Sequence, residues 1–414
     1  MYISILMNLK KVKCIEMNEL ISVSQAKEII KNQVILSSKI ELPLLESLGF
    51  YTAEDILAPM DVPSFDNSAM DGYGFIFSDL EEFSTLKVTK IVPAGISSNE
   101  FELGKGEAVR IFTGAKTPSG VDTVIMQELV EVQGELIQFD FNKVSKGVNI
   151  RAKASQTKKG DKIVEEKTFI NHAVIGYLAG FGIHKITVHR KLNIGLLYTG
   201  NELVEIGNPL SEGEIYNANT YTLHAALSEM NHQLVLINHV EDSPKATSIA
   251  VKQALEKVDV LLITGGISVG DYDFVKDALE EHNVEQLFYK IFQKPGKPIY
   301  FGKKEDQFVF ALPGNPASVF SCYHQYVKPF LKGCFGRENF DENLDYAISI
   351  STIQKKNTKQ TQFLKANYSQ GEVRILGAQE SYKMDSVAHA NCLVEFPENT
   401  SEINIGDEVK IWRI

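Results

Sequence analysis

Carboxylates, glycines and lysines recur in this chain where apolar runs end, and that mixture suits a phosphate bound together with a cation. The stretch Val258–Lys276 shows it most fully. Its apolar run Val260–Ile263 ends in Thr264-Gly265-Gly266, and Ser268, Gly270, Asp271 and Asp273 follow before a helical pattern opens near Phe274. Glycines there permit a tight turn and let a ligand reach backbone amides that a Cβ would shield. Carboxylates at the carboxyl end of a strand stand where open α/β sheets bind their ligands, and they can hold a cation. The plainer alternative is a strand-to-helix turn whose aspartates only cap the helix. Two earlier runs end alike, Leu192–Tyr198 in Thr199-Gly200-Asn201-Glu202 and Leu234–Asn238 before Glu241-Asp242. In a right-handed parallel wind these ends lie on one edge of the sheet.

Cations follow. Leu287–Phe292 reads as a strand that carries Lys290 and runs into Lys294-Pro295-Gly296-Lys297-Pro298, where prolines restrain two lysines. Phe308–Leu312 ends in Pro313-Gly314-Asn315-Pro316, and Pro316 suits the first position of a helix whose free amides can face an anion. An ordinary proline-stiffened loop is the alternative. Nearer the start, Ala58–Gly74 crowds Asp61, Asp66, Asn67 and Asp71 among prolines, and Arg110–Phe112 ends in Thr113-Gly114. Loops of such mixed chemistry bind more often than they pack; local turn-making is the competing account.

The elements that must position these residues are legible in outline. At 414 residues the chain is too long for one ordinary core, so two to four domains are expected. Ser24 can cap a helix through Val34, and Leu44–Leu48 is a short helical pattern stopped by Gly49. Alternating runs between Leu86 and Phe141 read as a small β domain. Residues 191–335 read as an α/β domain, with Asn219 capping a helix through Met230 and Ser243-Pro244 opening another. Alternation returns beyond Gly336, as in a small barrel. The expected fold is therefore multidomain: a mixed α/β N-terminal domain in two pieces, 18–57 and 150–190, a small inserted β domain over 58–149, a central doubly wound α/β domain over 191–335, and a C-terminal β-barrel domain over 336–414. Residues 1–17 receive no function.

Composition narrows the partners. A net charge of −11 argues against general nucleic-acid binding. No run approaches the ~20 apolar residues of a membrane helix. The four cysteines, Cys14, Cys322, Cys334 and Cys392, form no CxxC pair, and a cytoplasmic location is expected. His172, His184 and His189 share no metal-ligand spacing.

Six runs, FDNSAMDGYG (Phe65–Gly74), RIFTGA (Arg110–Ala115), TGNEL (Thr199–Leu203), TGGISVGDYDF (Thr264–Phe274), KPGKP (Lys294–Pro298) and LPGNPAS (Leu312–Ser318), resemble those of the molybdopterin molybdenumtransferases, a family related to the C-terminal domain of gephyrin. The resemblance runs from about Asn18 to the end. It implies that adenylylated molybdopterin and molybdate give molybdenum cofactor with release of AMP, a Mg²⁺-dependent transfer. It implies a homodimer whose active site lies between the α/β domain of one subunit and the small β domain of the other, and docking by other proteins of the pathway. By motif match it makes Asp71, Thr113, Asp242, Asp273 and Lys294 catalytic; Glu202, Asp242 and Asp273 metal-binding; and Lys290, Pro313 and Pro316 cofactor-binding, to which their places in the glycine turn, the KPGKP run and the LPGNPAS run add Gly265, Gly266, Ser268, Gly270, Lys297 and Asn315. The chain departs from the family's pattern at Asn201, at Asn217-Ala218 and at Gln156, each where an acidic residue or hydroxyl is usual, so near Gln156 only Arg151 carries over. A nucleotide-dependent oxidoreductase is disfavoured, because Gly265-Gly266-x-x-x-Gly270 is not GxGxxG. Adenylyl transfer to molybdopterin and a catalytically silent, gephyrin-like scaffold are the remaining alternatives.

Overall fold

The structure, a computed structural model, describes residues 20–96, 102–232, 234–267, 273–337, 340–341, 343–356 and 358–414. The chain forms two compact units. One comprises the chain up to Ile40, Gly49–Tyr51 and His189–Ile414; the other comprises Glu41–Leu48 and Thr52–Val188.

The first unit is built on a seven-stranded sheet in the order β1 (Leu20–Ile21), β5 (Glu285–Ile291), β6 (Pro298–Lys304), β7 (Gln307–Leu312), β4 (Val260–Thr264), β2 (Ile194–Thr199) and β3 (Leu234–Val240). β7, β4, β2 and β3 lie side by side and parallel. β6 runs antiparallel to both β5 and β7, so the sheet is mixed where the sequence pattern suggests a parallel wind. The cause is local: antiparallel neighbours need only a tight connection, and Lys304 pairs with Gln307 across the turn Glu305-Asp306. Glu305 supplies the left-handed backbone there, φ 52°, without the glycine that would have advertised a hairpin.

Every residue of β2 and β4 is buried. Their side chains alternate between two apolar layers. Leu196 and Leu262 join Leu223, Leu227, Phe301, Phe310 and Phe330 on one side, and Leu197, Leu261 and Ile263 join Val251 and Leu279 on the other. That double covering explains their unbroken apolar runs, and each such side chain contributes roughly 1.5–3 kcal/mol by leaving water. The layers are supplied by α1 (Val23–Asn32), α2 (Ala218–Glu229), α3 (Pro244–Leu255), α4 (Val275–Glu281) and α5 (Pro316–Cys322).

Two helix starts differ from the sequence expectation. Ser22, not Ser24, caps α1, in a reciprocal box with Gln25. Asn217, not Asn219, caps α2 by accepting from the Thr220 amide. Ser243 and Pro244 do open α3. Ala26 and Ile30 of α1 enter the sheet's core, and β1 pairs with β5. The segment 18–57, expected as one piece of an N-terminal domain, therefore divides between the units.

The same unit ends in a closed barrel of five strands: β8 (Leu344–Ser349), β9 (Thr361–Ser369), β10 (Glu372–Ile375), β11 (Cys392–Phe396) and β12 (Glu408–Arg413). The order β9-β10-β8-β12-β11 returns to β9, which leaves no edge within the ring. Its interior holds Leu364, Ala366, Val394, Phe396 and Ile411.

The second unit carries a six-stranded sheet in the order Thr123–Met126, Gly72–Phe75, Glu107–Ile111, Leu86–Val92, Leu136–Gln138 and Glu131–Gln133. Gly72 permits the close approach of the first two of these strands, because a Cβ there would lie 1.9 Å from the Ile125 carbonyl oxygen. A helix, His172–Ala179, starts at Asn171, whose side chain accepts from the amides of Ala173 and Val174.

His232, just past α2, is 2% exposed, stacks on Phe335 and offers no ring nitrogen to a partner among the described residues. Burial, reinforced by the Lys191 cation, lowers its pKa from 6.5 to about 4. A ring held neutral in the fold but protonated in the unfolded chain contributes stability above pH 6.5, and that contribution is lost as pH falls toward 4. Between those values the thermal midpoint should fall with acidification, by up to about 1.4 kcal/mol of stability per pH unit. His232→Leu should flatten that slope; identical slopes would mean that the ring titrates normally.

Candidate functional site

The pairing of the central strands brings four carboxyl ends level. Thr199 lies opposite Val240, Tyr198 opposite Thr264, and Thr264 opposite Leu312. Beyond these ends opens a cavity of about 560 Å³ whose lining includes Thr199, Gly200, Glu202, Asn217, Asn219, Asp242, Gly265, Gly266, Asp273, Pro313, Asn315, Pro316 and Tyr382. Its floor is tight. Gly265 and Gly266 adopt φ 85° and 61°, and a Cβ on them would sit 2.8 Å from the Thr199 carbonyl oxygen and 2.9 Å from its Oγ1, respectively. Glycine is thus required twice over, by conformation and by contact.

The amides of this floor are only partly available. Gly265 N–H donates to the Leu312 carbonyl (3.2 Å), closing the strand ends on each other, and the carbonyl of Gly266 accepts from Val275 N–H (3.3 Å). The glycine turn suggests a Gly265 amide open to a ligand; in the structure that amide belongs to the sheet. A similar correction applies at Pro313–Pro316. Pro316 does occupy the first turn of α5, but the next amide, Ala317 N–H, donates to the Ser381 carbonyl (3.0 Å), and those of Ser318 and Val319 donate to Asn315 O. Asn315 Nδ2 reaches Ser381 Oγ (3.1 Å), and Asn219 Nδ2 donates to Gly314 O (2.7 Å). The loop is stapled by its neighbours, and the amides of Ala317, Ser318 and Val319 at the helix start are already taken.

Three acidic residues expected at the strand ends share the cavity. Asp242 Oδ2 accepts from Asn201 N–H (3.0 Å) while Asn201 Oδ1 accepts from Asp242 N–H (3.2 Å). Asn201 therefore fixes its neighbour's orientation without adding charge. Glu202 folds back beside Gly200, whose Cβ would fall 2.9 Å from either carboxylate oxygen. Asp273 precedes α4, whose N-cap is Phe274 with no side-chain cap bond of its own; its charge raises the pKa of Tyr289 after burial has done so. Glu202, Asp242 and Asp273 do not converge: among the described residues, no three acidic, histidine or cysteine side chains are grouped closely enough to hold one metal ion.

A neighbouring carboxylate, which the sequence reading passed over, ties the rim. Glu205 Oε1 accepts from Tyr198 OH (2.8 Å) and Asn217 Nδ2 (3.0 Å), and Oε2 accepts from Tyr221 OH (2.9 Å). Asn217 and Tyr198 hold its pKa below the usual carboxylate range, while burial and Glu205 push Tyr198 up to about 12.

Lys290, Lys294 and Lys297 do not line the cavity; the strand that follows them reaches it through Pro298. Lys290 lies 4.8 Å from the Tyr289 ring centroid. The turn bearing Lys294 and Lys297 is anchored from beneath. Buried Gln293 donates to Gly296 O (2.8 Å) and accepts from Tyr326 OH, and a Cβ on Gly296 would strike Cys322 Sγ at 2.4 Å.

In the second unit, Asp71 Oδ1 accepts from both the amide and the hydroxyl of Thr113, each at 2.8 Å. The amide bond above all holds the Asp71 carboxyl below its usual pKa. Ser268, Gly270 and Asp271 lie outside the described residues. Tyr382, which lines the cavity, and Ser381 beside it, both from the loop after β10, have no signal in the sequence: they stand among turn residues of the barrel, far along the chain from the residues they meet.

Three family models match in succession: the MoeA N-terminal region (domain I and II) over residues 21–182, a "Probable molybdopterin binding domain" over 195–333, and the MoeA C-terminal region (domain IV) over 352–414. Molybdopterin molybdenumtransferase of Haemophilus influenzae is 34% identical over 95% of this chain and 98% of its own length. That of Bacillus subtilis is 32% identical over 90% and 89%. The crystal structure of the molybdopterin biosynthesis MoeA protein from Pyrococcus horikoshii superposes with a TM-score of 0.83 at 30% identity, covering 95% of this chain and 99% of that one. Matched end to end in sequence and in fold, this chain belongs to the molybdopterin molybdenumtransferase family.

Proposed function

We propose that this chain is a transferase that moves molybdenum from molybdate into adenylylated molybdopterin with release of AMP, in the formation of molybdenum cofactor. One coincidence carries the reading: the family match spans the chain, and the strand-end positions singled out by the motif resemblance, Glu202, Asp242, Asp273, Pro313 and Pro316, line a single cavity. The ligand's own dithiolene sulfurs receive the metal. The protein's part is to hold the phosphoanhydride and molybdate in register and to balance charge as AMP leaves.

Mg²⁺ would supply that balance by drawing charge from the phosphate oxygens. The carboxylates fit a hydrated ion that shares its ligands with phosphate, since Mg²⁺ keeps several waters and takes only one or two carboxylates. They do not fit a preformed dry site, because they stand apart. Asp242, fixed by Asn201, and Asp273 are the two best placed to orient such an ion. Lys290, Lys294 and Lys297 serve as point charges for molybdate or phosphate oxygens arriving from outside the cavity. Asp71, pinned through one oxygen by Thr113, acts on the cavity of a second copy in a homodimer. A cytoplasmic location and docking by other proteins of the pathway complete the proposal.

Supplying the purified protein with adenylylated molybdopterin, molybdate and Mg²⁺ should release AMP in proportion to molybdate; AMP release that ignores molybdate would end the proposal. Asp273→Asn keeps shape and removes charge, so turnover should drop roughly a hundredfold or more with an unchanged melting temperature. Full turnover in that variant would remove Asp273 from the chemistry. If two copies share a site, mixed dimers of Asp71→Asn and Asp273→Asn subunits should regain activity that neither parent shows, whereas stable but inactive mixed dimers would refute the sharing.

A further inference from the structure

Among the described residues, Tyr382 is the one aromatic ring that the barrel contributes to the strand-end cavity, and it is 65% exposed although it lines that cavity. Its hydroxyl has no hydrogen-bond partner among the described residues. Tyr216, the other tyrosine of the lining, donates to Asn208 O (2.9 Å). An exposed aromatic on a mobile tip would mean little, but this loop is tightly held. Lys365, 4% exposed on β9, sends its ammonium to the carbonyls of Ala378 (2.7 Å), Glu380 (3.2 Å) and Lys383 (3.3 Å). Ser386 Oγ adds a second bond to Ala378 O, and Gln379 Nε2 donates to Lys365 O and Leu376 O. Ser381, the adjacent residue, is bonded to Ala317 N–H and to Asn315 Nδ2 at the cavity's edge. One position along, the ring has a cation near it, Lys383 Nζ at 5.9 Å from its centroid.

We infer that Tyr382 is a stacking platform for a flat, phosphate-bearing heterocycle bound in the cavity. The inference rests on the proposed reaction for the class of ligand, since both the adenine and the pterin of adenylylated molybdopterin are such rings. A rigid aromatic costs little conformational entropy when a ring settles on it, and stacking tolerates any heterocycle with a π-face. The carboxylates that line the same cavity then meet the phosphate end through a cation, while Tyr382 holds the ring.

Binding of AMP and, separately, of 6-hydroxymethylpterin to the full-length protein, measured calorimetrically with Mg²⁺ present, tests this. Tyr382→Ala should weaken one of the two probes by about five- to a hundredfold and leave the melting temperature unchanged, because the side chain is exposed. The probe that suffers identifies the ring. Tyr382→Phe should bind within about twofold of the parent, since the face and not the hydroxyl makes the contact. The inference falls if the parent binds neither probe, if Tyr382→Ala binds both as the parent does, if Phe loses as much as Ala, or if Tyr216→Ala alone reproduces the loss. Weakened probe binding in Tyr382→Ala, in a protein that shows no molybdate-dependent AMP release, would remove the proposed reaction and leave the stacking in place.

Discussion

The constraint on which the first unit depends is the complete burial of β2 and β4 between two apolar layers. A strand covered on both faces cannot present a charged side chain along its length without a large desolvation cost. Polar chemistry is therefore displaced to where the strands end. The pairing of β3, β2, β4 and β7 then sets Val240, Thr199, Thr264 and Leu312 nearly level, so the segments that follow must share one small space. Gly265 and Gly266 are what let them do so: no residue with a Cβ fits against Thr199.

Crowding at these ends has a second effect. Backbone donors that a sequence reading assigns to an incoming anion are drawn into closing the site on itself, as Gly265 N–H does with Leu312 O and Ala317 N–H with Ser381 O. What remains facing the cavity is an acidic rim with asparagine and threonine between, and no lysine or arginine among its described lining residues. Such a surface repels a bare polyanion and accepts one accompanied by a cation. The lysines of the 294–298 turn stand outside, held by the Gln293–Tyr326 bond and the Gly296–Cys322 contact beneath them.

The barrel reaches the site through one buried ammonium. Lys365 satisfies its three donors on three carbonyls of a single loop, and desolvation lowers its pKa; the loop in turn caps α5 and places Tyr382. A buried cation without those acceptors would cost several kcal/mol, so the loop's path and the lysine's burial require each other. This makes the barrel part of the site's construction rather than an appended domain.

By itself the sequence determined the local elements and their order. Unbroken apolar runs marked the doubly covered strands, alternation marked the barrel and the small β sheet, and Ser243-Pro244 marked a helix start, because each is a short-range consequence of period and capping. Six motifs determined the family. Tertiary structure alone decided which neighbours consume which hydrogen bonds: that Asn217 caps α2 and frees Asn219 to hold Gly314, that β6 turns back antiparallel through Glu305-Asp306, that α1 joins the sheet's core, and that Glu205 gathers two tyrosines and an asparagine. It alone placed Tyr382 in one cavity with carboxylates more than a hundred residues earlier in the chain. Periodicity reports which face of an element is buried, but a hydrogen-bond partner far along the chain depends on the path of everything between, and no local pattern of residues encodes that path.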